Sequence, residues 1–299
     1  ISFLYNFIPR DKIYIRKEDD LMFCVTESLT VGFKNYLISA EKSENTVEKY
    51  IRDLMHFAVF LKGEVTREKV LAYKKELCED YAPASVNSML SSLNAFFDFA
   101  GRIDLKVKTL KISRRIFTDS ERELKKREYE RLLLVAKEKK DERLCLLMQT
   151  MAGTGIRVSE LRFITCEAAA KGKATVSLKG RVRTVFLPDA LCRLIKAYAK
   201  KRGIKKGSVF VTRNGLPLER RNIWRMLKNL CMAAGVAKEK VFPHNLRHLF
   251  ARTFYAARKD IVRLADILGH ASINTTRIYT AETGEVHLKQ LGNLGLLLC

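Results

Sequence analysis

The sequence contains no Cys-x-x-Cys pair. Its seven cysteines, at positions 24, 78, 145, 166, 192, 231 and 299, are scattered and odd in number. That excludes an obvious disulfide framework or zinc site and fits reduced thiols in a cytosolic protein. Cys166 could be a reactive thiol, but free cysteine is among the most buried residue types, so it is read as packed. A long apolar run is also missing. The opening Ile1-Ser2-Phe3-Leu4-Tyr5 is broken by Pro9, Arg10, Asp11 and Lys12, too early for a signal h-region or a membrane span, so neither export nor membrane insertion is expected. No initiator Met is present, and Met22 precedes the first well-patterned segment, so residues 1–21 are read as a tail or upstream extension without assigned function. There is no internal repeat and no low-complexity tract. Acidic residues are scarce: 33 Asp and Glu face 56 Lys and Arg, a formal net charge of +23. Such an excess favours a polyanionic partner through attraction to phosphate and release of counterions, although charge alone also fits a solvated basic surface.

What is present suffices for two domains. At 299 residues and 47% hydrophobic content, the chain can bury a core in each. From Ser43, the run SENTVEKYIRDLMHFAVFLKG sets Val47, Tyr50, Ile51, Leu54, Phe57, Ala58 and Leu61 at steps of three and four, with Ser43 as N-cap and Gly63 as the stop. Further helices are expected around Ser28–Ala40, from Thr66 to about Cys78, and from Pro83 and Ser85 to Gly101. Together they make a small all-α domain over 25–105, after a tail or extension at 1–24. Phe57, Phe60, Phe96, Phe97 and Phe99 are read as its core, not as a platform for stacking bases. The charge-rich stretch 106–122 reads as a linker. Its Lys108, Lys111, Arg114 and Arg115 have two open readings, solvated linker or contact with a nucleic-acid backbone. The second domain, 123–299, starts with helical patterns through Met151. It continues in two β-rich runs, 174–178 and 184–187, read as a hairpin, and is then helical apart from a short strand expected at Val209–Thr212. The fold class is therefore mainly α, two domains, with a small antiparallel hairpin in the larger one.

Three of the five histidines lie in two compact motifs. In Pro243-His244-Asn245-Leu246-Arg247-His248, helical spacing puts His244, Arg247 and His248 on one face, and Leu246, Leu249 and Phe250 on the buried side. Pro243 suits the first helical position, where free N–H groups favour an anion. The His244–His248 spacing also allows a metal. A metalloprotease pattern, however, requires Glu where Asn245 stands, and no carboxylate-rich partner motif lies nearby, so no metal site is assigned. The second motif runs Leu268-Gly269-His270 to Tyr279. Alone, Tyr279 would read as an ordinary amphipathic side chain and His270 as a satisfied core histidine; joined to the first motif and to Thr154-Gly155-Ile156-Arg157-Val158-Ser159-Glu160-Leu161 upstream, they form a set.

That ordered set, with Lys179 on the hairpin and Tyr279 nine residues after His270, resembles the active-site signature of tyrosine recombinases. The segment 28–101 resembles their N-terminal core-binding domain, so the likeness extends from Thr26 almost throughout. The resemblance implies cutting and rejoining of double-stranded DNA through a covalent 3′-phosphotyrosine. Two always-charged, forked guanidinium groups suit the non-bridging oxygens of a phosphodiester, so Arg157 and Arg247 are implied as the clamp. Tyr279 is implied as the nucleophile, which conserves bond energy without ATP or metal, and no cofactor is expected. His244 is the implied base, His270 hydrogen-bonds the phosphate or helps position the transition state, and Lys179 protonates the leaving 5′ oxygen. Lys171 and Lys173 stand near enough to Lys179 to compete for that last role. Glu160, on the helical face adjacent to Arg157, and His248, bonding backbone, are read as supports; Arg181 and Arg183 are read as DNA contacts. Two departures stand out. Cys166–Gly172 is rich in alanine, which puts the local strand boundary in doubt, and Leu249 replaces a small hydroxyl residue.

The implied partners are recombination sites on duplex DNA, with a homotetramer on synapsed DNA, a monomer in solution and accessory DNA-bending or excision factors. A type IB topoisomerase and a non-cutting DNA-binding regulator are the rival readings; the short chain speaks against the first, and the complete residue set against the second. The apolar stretch Gly284–Cys299 has two open readings, docking on a neighbouring protomer or packing on its own domain.

Overall fold

A computed structural model describes residues 23–61, 63–112, 122–178, 180–212, 214–270, 272–279 and 293, and every side chain among them except that of Arg181. Lys179, Arg114, Arg115 and the segment 284–299, apart from Asn293, fall outside the described residues. The chain divides between Arg114 and Arg115 into two units.

Among its described residues the first unit holds four α-helices: α1 (Glu27–Ser39), α2 (Glu44–Leu61), α3 (Arg67–Asp80) and α4 (Pro83–Phe99). Local chemistry sets their starts. Thr26 and Thr66 accept the Leu29 and Lys69 N–H groups as N-caps of α1 and α3, and Pro83 opens α4, where a missing N–H costs nothing. Ser43 immediately precedes α2, but its hydroxyl meets the Thr46 hydroxyl at 2.8 Å. Phe33, Phe57, Phe96 and Phe97 are fully buried, and Phe60 and Phe99 pack against them, so the aromatics form the core as expected. Lys106–Leu110, in the stretch read as linker, lies along α4. Asn94 exchanges both of its amide hydrogen bonds with Val107 (2.8 and 3.0 Å), and Asn87 does the same with Leu110 (2.9 and 2.7 Å). Seven residues apart on one helical face, these asparagines supply the partners that a neighbouring strand would give an extended chain. Lys108 and Lys111 project into solvent.

The second unit contains α5 (Lys126–Glu138), α6 (Glu142–Thr154), α7 (Cys166–Lys171), the strands β1 (Lys173–Leu178) and β2 (Arg181–Phe186), and then α8 (Asp189–Lys201), α9 (Arg220–Lys228), α10 (Pro243–Arg258), α11 (Ile261–Leu268) and α12 (Ile273–Thr276). Helix α6 is buried on nearly every side and packs against α10. β1 and β2 pair antiparallel, from Lys173 opposite Phe186 to Leu178 opposite Arg181. The alanine-rich stretch is helix α7, capped by Thr165 and ended by Gly172 in the left-handed region. Cys166 is half-buried beside the Ile204 carbonyl, and burial pushes its thiol pKa up, as for a packed cysteine.

Two expectations are corrected. Val209–Thr212 is no strand: it makes only single bridges nearby, Thr165 with Ser208 and Val211 with Pro217. Its β-like composition reflects burial, since Val209 and Phe210 enter the core. Glu160 does not share an α-helical face with Arg157. Val158–Phe163 is a 3₁₀ turn, and Arg157 is the extended residue before it. Among the described residues, no helix is long and apolar enough to cross a membrane.

Candidate active site

The four segments that carry the motifs meet in the second unit. Gly155 ends α6 with φ +64°, and a Cβ there would lie 2.5 Å from the Phe250 ring of α10. Glycine thus lets α10 approach the turn from which Arg157 projects. Glu160 binds back to that turn, accepting from the Arg157 backbone N–H at 2.9 Å and from its guanidinium at 3.0 Å. Arg183, from β2, reaches the same carboxylate at 2.5 Å and the Ile267 carbonyl at 2.7 Å. Burial alone would raise the Glu160 pKa, but the bonds and charges of Arg183 and Arg157 outweigh it and hold the carboxyl ionised. Arg183, read from sequence as a DNA contact, therefore spends its guanidinium within the protein. Arg157 keeps 38% of its side chain exposed and also donates to the Gly269 carbonyl at 3.3 Å.

Arg247 is the largest fully buried side chain among the described residues, at 1% exposure. It donates to the Gly155 carbonyl at 2.5 Å, to the Leu268 carbonyl at 2.8 Å and to His270 Nε2 at 2.9 Å, while its Nε has no partner. Burial first, then repulsion from Arg157, lowers its pKa to about 10. Because Nε2 of His270 accepts from an arginine, its proton sits on Nδ1, which donates to the buried Thr276 hydroxyl at 2.8 Å. Burial and the surrounding arginines lower the His270 pKa to about 4. Gly269 has φ +63°, and a Cβ there would lie 2.4 Å from Arg183 Cδ.

Tyr279 ends the 3₁₀ turn Arg277–Tyr279 at 5% exposure. Its ring stacks toward His270 at 6.2 Å and meets His248 edge-on at 5.0 Å; His248 in turn meets His244 at 4.4 Å. Burial raises the phenol pKa, opposed by Arg247 and Arg157. His244 reaches solvent at the edge of the site, and partial desolvation of its ring, then Arg247, Arg157 and Arg220, lower its pKa. Arg157, His244, Arg247, His270, Tyr279, Glu160 and His248 thus gather at one locus. Lys179 lies outside the described residues, Lys173 at the far end of β1 is exposed, and Lys171 ends α7.

Sequence reasoning missed Thr276, which orients His270, and the Glu160–Arg183 pair. It also passed over α9, which exposes Arg220, Arg221 and Arg225 beside Trp224, with Lys228 5.0 Å above the indole. The run RRNIWRMLK carried that signal, since only Ile223 and Leu227 are buried. Among the described residues, no cluster of His, Cys, Asp or Glu could hold a metal ion.

Two family models match the chain, the phage integrase family over residues 122–285 and the phage integrase N-terminal SAM-like domain over residues 31–103. Tyrosine recombinase XerA of Pyrococcus furiosus is 32% identical over 266 residues, covering 86% of this chain and 90% of the relative. Tyrosine recombinase XerD of Caulobacter vibrioides is 30% identical, covering 83% and 89%. In fold, the chain superposes on a lambda integrase tetramer bound to a Holliday junction with a TM-score of 0.71 at 19% identity, covering 87% of this chain and 78% of that one. With both domains matched and the site residues inside the larger match, the chain belongs to the phage integrase family and is a tyrosine recombinase, an enzyme of site-specific recombination.

Proposed function

We propose that this recombinase cuts and rejoins duplex DNA through a 3′-phosphotyrosine on Tyr279. The observation that carries the reading is Arg247, a buried guanidinium left with carbonyl dipoles, a neutral imidazole and an unpartnered Nε, beside the partly exposed Arg157 and the Tyr279 ring. A cation so incompletely answered suits an incoming phosphate. The Tyr279 oxygen attacks phosphorus, the bond to the 5′ oxygen breaks, and the 3′ phosphate remains on tyrosine; the reverse step reseals the strand. Arg157 and Arg247 bear the charge gathering on the non-bridging oxygens. His244 takes the phenolic proton and Lys179 supplies the one that leaves with the 5′ oxygen. His270 becomes a donor to the phosphate: the arriving anion favours its charged form and draws its pKa back toward the ordinary value. Glu160 keeps Arg157 in place through both backbone and side chain.

The +23 charge, the exposed Lys108 and Lys111, and the Arg221–Trp224–Arg225 face of α9 support phosphate-dominated binding to duplex DNA. A relative crystallised as a tetramer on a Holliday junction supports a homotetramer on synapsed sites. A monomer before synapsis, accessory factors that bend DNA, and action in the cytoplasm complete the reading. The test is a nicked duplex that sheds its 5′ fragment on cleavage. Wild-type protein should become covalently trapped, and Tyr279→Phe should bind with the same affinity and trap none. Trapping by the Phe variant refutes the assignment.

A further inference from the structure

We propose that His248 is a positioning residue for Tyr279, a neutral ring wedged between His244 and the nucleophile that sets the phenol's orientation and carries no proton. The inference rests on Tyr279 as nucleophile. His248 follows Arg247 directly on α10, and one turn earlier stands His244, its ring 4.4 Å away at 65°. On its other side the Tyr279 ring crosses at 84°, with centroids 5.0 Å apart. That edge-to-face geometry is one that aromatic quadrupoles prefer, and it supports the ring by shape, beside the hydrogen bond that the phenol oxygen takes from Arg247. Nε2 of His248 is buried without a partner among the described residues.

Its surroundings oppose a role as base. The groups acting on it are His244, Arg252 and Arg247 from its own helix, and across from it lies the buried hydroxyl-bearing ring of Tyr279 from the 3₁₀ turn. Taking the phenolic proton would place a cation in a buried position beside two arginines and a second imidazole, and burial together with their repulsion lowers the His248 pKa to about 3. The exposed His244 has a solvent route for the proton; His248 has shape. A small displacement of a reacting atom is enough to slow a reaction by about 10²-fold.

His248→Gln and His248→Phe divide the two possibilities: glutamine keeps hydrogen-bonding capacity without the ring, and phenylalanine keeps the ring without nitrogen. Single-turnover cleavage of the nicked duplex should slow by about 10²-fold in the Gln variant. It should return to within several-fold of wild type in the Phe variant, with the same pH–rate profile and unchanged DNA affinity in both. A Phe variant as slow as Gln, or one that has lost a limb of the pH profile, shows that the nitrogens do chemistry and overturns the proposal. A Gln variant as fast as wild type overturns it as well. Tyr279→Phe in the same trapping assay reports separately on the nucleophile, so failure there is not confused with failure here.

Discussion

Each unit buries a charge on a helix, Asp53 at 8% exposure in the first and Arg247 at 1% in the second, and the surrounding chain answers them differently. Asp53 is matched in kind: Lys49 lies one turn before it, and the Ser92 hydroxyl donates to it at 2.8 Å. Lys49 is itself held by the Ser88 carbonyl and the Ser92 hydroxyl, both at 3.1 Å, so the network closes on itself. Arg247 is answered at hydrogen-bond distance by carbonyl dipoles, an uncharged imidazole and the Tyr279 hydroxyl, with no carboxylate in contact; Glu160 attracts it more weakly, and the charge acting on it most strongly is the like charge of Arg157. A buried ion answered by a counterion belongs to the scaffold; one answered only by dipoles leaves electrostatic work for a ligand.

The sharpest test of that contrast exchanges charge for a neutral amide at each position. Arg247→Gln should slow strand cleavage by about 10²- to 10³-fold, the usual consequence of removing a preorganised group facing transition-state charge. Asp53→Asn should leave cleavage within twofold of wild type yet destabilise the protein by about 1–3 kcal/mol in chemical denaturation. Impaired cleavage in the Asp53 variant would mean that the first unit's polar network also serves the chemistry, and the contrast would collapse.

A smaller effect tests whether the shell around the arginines is as closely fitted as it looks. Gly172 and Gly269 have nearly the same backbone, φ +67° and +63°, but a Cβ at Gly172 meets open space and one at Gly269 meets Arg183 at 2.4 Å. Gly172→Ala should cost about 1 kcal/mol, the ordinary penalty for a left-handed alanine. Gly269→Ala should cost about 1–3 kcal/mol and also reduce cleavage, because Arg183 must leave Glu160, which in turn steadies Arg157. Equal losses in the two variants would show that Arg183 yields freely and that its bond to Glu160 is incidental.

Much of this was legible in the sequence, and the reason lies in distance along the chain. α2 and α4 declare themselves through apolar spacing and the Pro83 start, and Arg157, Arg247, His270 and Tyr279 through short local motifs whose order is itself a signal. The Glu160–Arg183 pair joins residues 23 positions apart from a turn and a strand, and no local pattern announces it. Val209 and Phe210 show the opposite failure: a β-like composition arose from burial in the core, and among the described residues the segment makes isolated bridges without a ladder. Arg183 misled because basic residues on a hairpin look alike until one finds a buried carboxylate.

The smallest expected effect concerns acid, where the polar site should be the weaker region. In the folded protein the pKa of His270 is lowered to about 4 and that of His248 to about 3, against 6.5 as the ordinary value, and that of His244 is lowered too. Below pH 6.5 the unfolded chain therefore binds protons that the folded chain refuses. Stability is at its full value above that pH and declines as pH falls toward the folded values. Each such group can cost at most about 1.4 kcal/mol per pH unit, and the partial solvent contact of both rings keeps the slope below that ceiling. Ordinary carboxylates titrate near pH 4, so the interval from 6.5 to 5 isolates the histidines. Denaturation midpoints should fall steadily across that interval, and His248→Phe, which has no proton to take up in either state, should show the shallower decline. Identical slopes for wild type and His248→Phe would mean that the His248 ring protonates freely in the folded protein, and the second unit would lose its claim to the greater acid sensitivity.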